Sequence, residues 1–378
     1  MSRSAIARLF DLLRLETGAS APGLSAAWHE LASERDIVGL VEHEGAEVWL
    51  YRRLRKLGVE GGSPALESLR ASAHRSVVRG LRVDDEAVAT LTLLGEADVP
   101  VALIKGQARR AATALYPWAD ARSIADVDLL VRSDHAGRAW DRLVAAGYTF
   151  AVDPNRSYAK HHHLPPIMGS RRVAVELHTS TSPDIPADEA WRRATRTPDP
   201  VTWSGRSFQV PCATELLWHS VDHAFVQGPA AATRLRALLD GAAILTAERE
   251  IDWDLIRHRL AAGEVREADS GDLAAPAKMR QWLAAAADLG GVSLPPSFSD
   301  TRPLPIGSLV RWRQIVRGTF AGQPSLIEEA SRCEMNASWR PLPSHTPAWK
   351  RARRAMASAA ARVCYRTWRA AVAAERGH

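Results

Sequence analysis

Asp126 and Asp128 stand two residues apart in the run Ala125-Asp126-Val127-Asp128-Leu129-Leu130-Val131. On a strand, residues i and i+2 point to the same face, so the two carboxylates lie side by side in an otherwise apolar segment. Like charges at that spacing repel, and burying them is costly. A divalent cation removes that cost. Mg²⁺ takes oxygen ligands and is commonly held by one or two carboxylates together with substrate phosphates. Taken alone, so short a motif is better explained by one Asp capping a neighbouring element and the other solvated at the strand start.

The surroundings shift that balance. Lys105-Gly106 closes the preceding apolar run Val99-Pro100-Val101-Ala102-Leu103-Ile104 and opens a helix-like segment. A Gly there lets backbone N–H groups approach a phosphate, and the Lys adds a point charge. The chain has only five lysines among its 49 basic residues, so each one kept stands out. Arg122, just upstream of the acid pair, is placed to reach the same phosphates. The plain alternative for both cations is a surface salt bridge. Glu176 lies on a third candidate strand, between Val175 and Leu177, with His178 on its own face. Three acids on neighbouring strands suit a two-metal phosphoryl-transfer site.

Several elements must position these groups. Residues 97–178 read as strand, helix, strand, helix, strand: an apolar run to Ile104, a helix from Gln107 to Leu115, the Asp126 strand, an amphipathic helix over 134–147, and an alternating strand over 172–178. Residues 153–171 read as a loop holding Lys160-His161-His162-His163-Leu164-Pro165-Pro166. Before this block, 24–58 and 64–97 carry apolar residues at helical spacing, separated by Gly61, Gly62 and Pro64. After it, 214–226, 233–249, 253–261 and 276–289 read as helices. The division expected is an N-terminal helical region 1–96, a core 97–210, a helical domain 211–292 and a C-terminal region 293–378. The fold class is α+β.

Composition excludes several classes. With 378 residues, 46% hydrophobic and 24% charged, the chain is globular rather than disordered. Cys212, Cys333 and Cys364 are too few and too far apart for a disulfide scaffold or a zinc pair. No stretch approaches the ~20 apolar residues of a membrane span. The charged N-terminus predicts no signal peptide, and the expected location is the cytoplasm. The formal charge of +6 is uneven. Residues 339–378 hold nine bases against the single acid Glu375, so the rest is slightly negative. An Ala-rich helix over 348–374, with Trp349, Met356 and Val363 on one side, is expected there. It reads either as a packing helix or as a surface for nucleic acid or an acidic partner.

The segment Ala102–Val131, with its Lys105-Gly106 turn and Asp126-Val127-Asp128, resembles the nucleotidyltransferase superfamily that includes polymerase beta. More closely it resembles the bacterial uncharacterised nucleotidyltransferase family, through Ile104-Lys105-Gly106, Asp126–Val131 and Val175-Glu176-Leu177-His178. The stretches 211–225 and 235–256 are similar to that family's helical second half. The resemblance implies a nucleotidyltransferase-type mixed sheet flanked by mainly helical regions, Mg²⁺ or Mn²⁺ as cofactor, and transfer of an NMP from an NTP. Asp126 and Asp128 match the metal-binding pair. Glu176 matches the third acid, which bridges the catalytic metal and helps deprotonate the acceptor. Lys105 and Gly106 stand where the superfamily usually has a Gly-Ser or Gly-Gly turn. The implied partners are an NTP and an unidentified acceptor hydroxyl or phosphate on a small molecule, peptide or nucleic acid, with natural-product biosynthesis one setting.

Other candidates carry less. His219 and His223 have the i, i+4 spacing of a zinc pair but no evident third ligand, so they read as core groups or as neighbours of the metal ligands. His163 and His178 are placed in the same supporting role. Asp240 is expected to pair with an Arg. Two rival functions remain open: a nucleotidyltransferase fold kept as a binding scaffold without turnover, and a nucleic-acid-binding protein acting through its basic tail.

Overall fold

The computed structural model describes residues 3–15, 20–34, 36–59, 62–112, 118–151, 161–183, 185–203, 205–226, 234–247, 250–263, 276–298, 301 and 310. The expected tail helix over 348–374 lies outside these residues.

Five helices come first: α1 (Arg3–Leu13), α2 (Ala21–Leu31), α3 (Ile37–Glu44), α4 (Glu47–Lys56) and α5 (Pro64–Glu96). The helical periodicity over 24–58 is real, but the chain breaks it into α2, α3 and α4. One break is Gly45, whose left-handed backbone (φ 69°) lets Ala46 N–H reach the Val41 carbonyl and close the end of α3. α5 starts where Pro64 predicts. The Ser63 hydroxyl accepts from Leu66 N–H, and 33 residues of helix follow. At ~1.5 Å per residue this is a rod of about 50 Å, long enough to pack against α4 at one end and the sheet at the other.

The sheet has seven strands: β1 (Val101–Leu103), β2 (Asp126–Val131), β3 (Thr149–Phe150), β4 (Ile167–Met168), β5 (Ala174–His178), β6 (Asp199–Trp203) and β7 (Arg206–Val210). Their order is β3-β4-β5-β2-β1-β7-β6. β1 runs antiparallel to β2 and parallel to β7, while β2 and β5 are parallel. The sheet is therefore mixed, and the fold is α+β. Helices α6 (Lys105–Ala111), α7 (Ala136–Ala145) and α8 (Ala187–Thr195) lie within this block. Helices α9 (Ala213–Val226), α10 (Leu235–Thr246), α11 (Trp253–Ala262) and α12 (Pro276–Gly290) follow it. Among the described residues, no helix is long and apolar enough to cross a membrane.

Along β2 the side chains alternate as the sequence predicts. Val127, Leu129 and Val131 are fully buried in the main core, which runs from Ala5 in α1 to Val310 and includes α9, α10 and α12. Leu130 turns the other way and packs with Ala102, Ile104 and Ala194 beneath α8. Asp126 and Asp128 share the Leu130 face. β3, β4 and the β6–β7 hairpin, which the sequence reading did not assign as strands, complete the sheet on either side of the central three. β4 falls inside the stretch read as a loop over 153–171.

Candidate functional site

β1 ends at Leu103, one pairing position before the level of Asp128. That side of β2 therefore has no backbone partner at its start. Gln107 in α6 fills the gap. Its Nε2 donates to the Asp126 carbonyl (3.1 Å), and its Oε1 accepts from Asp128 N–H (3.3 Å). The amide thus mimics a strand and fixes the backbone that carries both carboxylates. Gln107 is fully buried. Nothing in its sequence context separated it from a solvent-facing helix residue.

On the other side, the parallel pairing of β2 and β5 places Asp128 directly beside Glu176, and Leu130 beside His178. The Oδ1 of Asp128 lies 2.9 Å from His178 Nε2, which is 3.3 Å from Glu176 Oε2. One ligand atom from each of these three residues lies within 4.8 Å of the others, a spacing that can hold a metal ion. Lys105 enters the same cluster. Its Nζ is 2.7 Å from Asp128 Oδ1, 3.2 Å from His178 Nε2 and 3.9 Å from Glu176 Oε2. The Lys105 backbone is left-handed (φ 48°), a conformation a non-glycine residue holds only when its surroundings fix it.

The electrostatics separate the acids. Burial pushes the Asp128 carboxyl up, but the Lys105 charge and the His178 hydrogen bond outweigh it and hold the group well below the usual carboxylate range. Glu176 is lowered too, chiefly by its hydrogen bond with His178. Asp126 goes the other way. Burial first, and the Asp128 charge second, raise it to about 6. One acid is thus fixed as an anion while its neighbour is poised to gain or lose a proton near neutrality.

Gly106 and Arg122 sit close by, each under a constraint that the sequence did not suggest. A Cβ on Gly106 would stand 2.5 Å from Ile124 Cγ2, so the residue lets α6 lie against the segment that leads into β2. Gly106→Ala is therefore expected to lower stability by about 1–3 kcal/mol. Thermal unfolding checks this, and an unchanged midpoint would refute the packing role. Arg122 is gripped by Asp240 on α10, with its Nε 2.8 and 3.0 Å from the two carboxylate oxygens. Buried Arg109 approaches the same carboxylate (Nε to Oδ2 3.4 Å) and donates to Ser220 Oγ at 2.6 Å. The Arg partner expected for Asp240 is thus Arg122, with Arg109 beside it.

The histidines gather around this cluster. His163 forms an isolated bridge with His178, and the rings of His162 and His163 lie 5.3 and 5.2 Å from that of His178. Burial lowers His162 to about 3 and lowers His163 as well. His219 and His223 are 5.9 Å apart ring to ring on α9. Both are held well below their usual value by burial, reinforced by the Lys105 charge. At neutral pH the rings of His162, His163, His219 and His223 are uncharged.

A polar cavity of about 210 Å³ lies nearby, between the end of α3, the starts of α4 and α10, and α5. Ser123, three residues before Asp126, is part of its wall.

Comparison with known protein families gives a match over residues 32–269, to a family described as uncharacterised nucleotidyltransferase. Among curated proteins and among solved structures, nothing matches.

Proposed function

The chain belongs to this family of uncharacterised nucleotidyltransferases, and on that premise we propose that it transfers an NMP from an NTP to an acceptor hydroxyl or phosphate. The observation that carries the reading is the convergence of Asp128, Glu176 and His178 within 4.8 Å, with Asp126 two residues before Asp128 on the same face. The donor set suits a divalent cation, since carboxylate oxygens dominate it and the same cluster already accommodates the Lys105 ammonium. Mg²⁺ or Mn²⁺ held by Asp126, Asp128 and Glu176, with His178 alongside, would draw charge from the reacting phosphate.

In the proposed step an acceptor oxygen attacks the α-phosphorus in line. The bond from that phosphorus to the oxygen bridging the β-phosphate breaks, and pyrophosphate leaves. Glu176 takes the acceptor's proton. Lys105 follows the charge of the triphosphate, whose backbone contacts fall at the Lys105-Gly106 turn. Arg122, fixed by Asp240, contributes positive potential from one side rather than as a free arm. His163, His219 and His223, neutral and close-packed, surround the acids without adding charge. The division at 96, 210 and 292 is proposed as the functional layout, with the core carrying the chemistry and helices on either side forming the walls. The cytoplasm, where NTPs are made, is the proposed location.

One observation favours a second reading, a binding scaffold without turnover: the Lys105 ammonium already sits against Asp128 and Glu176. Isothermal titration of the full chain with NTPs separates the two. The enzyme reading expects NTP binding to strengthen about tenfold or more when Mg²⁺ or Mn²⁺ is added. Binding indifferent to metal, with no labelled NMP transferred, would leave the scaffold.

A further inference from the structure

The cavity beside Ser123 is lined by two chemically different sets of side chains. One set lies where α10 begins. Its first N–H, at Leu235, donates to the fully buried Glu44 carboxylate at 3.0 Å. Arg234 and Arg236 flank that start, and both line the cavity. Among the described residues, no carboxylate lies within ion-pair distance of either guanidinium. The stem of Arg236 lies over Gly45, where a Cβ would stand 3.0 Å from its Cδ, so the left-handed glycine that ends α3 also makes room for this side chain. The charge of Arg122, and then burial, lower Arg236 to about 10. The two guanidinium groups on this one cavity wall offer the planar donor forks that a phosphate takes.

The same wall also carries acceptors and hydroxyls, among them Glu47, Ser72, Ser76 and Ser123. Glu47 is 4% exposed. Its Oε1 accepts from Ser123 Oγ at 2.9 Å, while its Oε2 has no hydrogen-bond partner among the described residues. Ser72 is 2% exposed, and its Oγ is likewise without a partner among the described residues. Buried polar atoms left unsatisfied cost about 1–3 kcal/mol each, so two on one cavity wall mark a place where a ligand's hydroxyl groups fit. The volume is below the ~300 Å³ of drug-sized sites, which limits the occupant to a small molecule or one arm of a larger one.

We propose that this cavity binds a phosphorylated sugar, with its phosphate against Arg234 and Arg236 and its hydroxyls against Glu47 and Ser72. Two sources share that chemistry: the ribose-phosphate portion of the NTP, or a free sugar phosphate serving as acceptor. The choice between them rests on the nucleotidyltransferase reading. The binding itself does not.

The test is isothermal titration of the full chain in EDTA with ribose 5-phosphate, glucose 1-phosphate, inorganic phosphate and ATP. The sugar phosphates are expected to bind about tenfold tighter than inorganic phosphate. Arg236→Met keeps the stem over Gly45 and should weaken every phosphate ligand about tenfold. Ser72→Ala and Glu47→Gln should weaken the sugar phosphates but not inorganic phosphate. Ser72→Ala removes only an unpaired hydroxyl, so it serves even if Glu47→Gln fails to fold. If ATP weakens in parallel, the nucleotide's own ribose is the occupant. If ATP is unaffected while the monosaccharide phosphates weaken, the occupant is the acceptor. Sugar phosphates that bind no better than inorganic phosphate, or that ignore all three substitutions, overturn the proposal. Sugar-phosphate binding without any NMP transfer would instead leave the cavity assigned and remove the nucleotidyltransferase reading.

Discussion

Asp126→Asn and Asp128→Asn are each expected to lower NMP transfer by about 10²- to 10³-fold, while moving stability in opposite directions. The loss of rate follows from removing charge that a divalent cation needs, worth several kcal/mol at ~1.4 kcal/mol per factor of ten. The stability effects follow from the metal-free electrostatics. Asp128 is an anion held by Lys105 at 2.7 Å and His178 at 2.9 Å. Neutralising it leaves the Lys105 ammonium buried with, among the described residues, only Glu176, 3.9 Å away, as a carboxylate partner. Breaking such a pair costs on the order of 3 kcal/mol. Asp126 is the reverse case. Its carboxyl is raised to about 6 in the folded chain. A raised carboxyl stabilises the fold below its unfolded value and loses that contribution as pH rises through 6. At pH 7 its charge is therefore a penalty, and Asp126→Asn in EDTA should gain on the order of 2 kcal/mol. Denaturant titration of both variants with chelator, alongside labelled-NTP transfer, reads all four numbers. Full transfer activity in Asp128→Asn would end the proposed mechanism. Equal stability changes in the two variants would end the electrostatic account.

A steep loss of stability below pH 6.5 is the second large effect expected. His162 falls to about 3, and His163, His219 and His223 are also lowered, each chiefly by burial. A histidine depressed in the folded state stays neutral while the unfolded chain takes up its proton below about 6.5. Stability then falls with pH at about 1.4 kcal/mol per unit for each proton taken up. The depressed Asp128 and Glu176 extend the loss at still lower pH, and only the raised Asp126 opposes it. Several groups titrating together give a total comparable with the ~5–15 kcal/mol of a typical domain. Urea midpoints measured from pH 7.5 to 5 should fall sharply. A flat profile would show that these rings are hydrated rather than packed.

The part of the site that was legible in the sequence is the part set by local alternation. Two acids at i and i+2 in an apolar run must share a face whatever surrounds them, and Glu176 with His178 repeats the pattern. The Lys105-Gly106 turn was visible because both residue types are unusual there. What escaped is set by contacts between distant elements. Gln107, Arg109 and Arg110 look like any polar helix residues, yet all three are buried. Their partners lie on β2, α9, α10 and α5, and no periodicity announces that Arg110 will meet Asp84. Arg122 lies close enough for its charge to act on Asp126. Its grip by Asp240, 118 positions away, depends on how α10 docks. Among the strands, β3 and β4 have two residues each, too few for a period of two to register. The β6–β7 hairpin did leave a trace in the sequence, the dipeptide Ser204-Gly205, a type that marks turns.

The ammonium of Lys105 among the acids bears on how the molecule can be born. A strand pair carrying Asp128 and Glu176 side by side would otherwise have to wait for an ion before it could close. Here the counter-charge is covalently part of the chain, at an effective concentration no dissolved ion matches. Assembly of the sheet is thereby uncoupled from ion supply. On the proposed nucleotidyltransferase reading, a freshly made chain reaches its final shape first and takes up a cation afterwards, by exchange with a side chain that stays within reach.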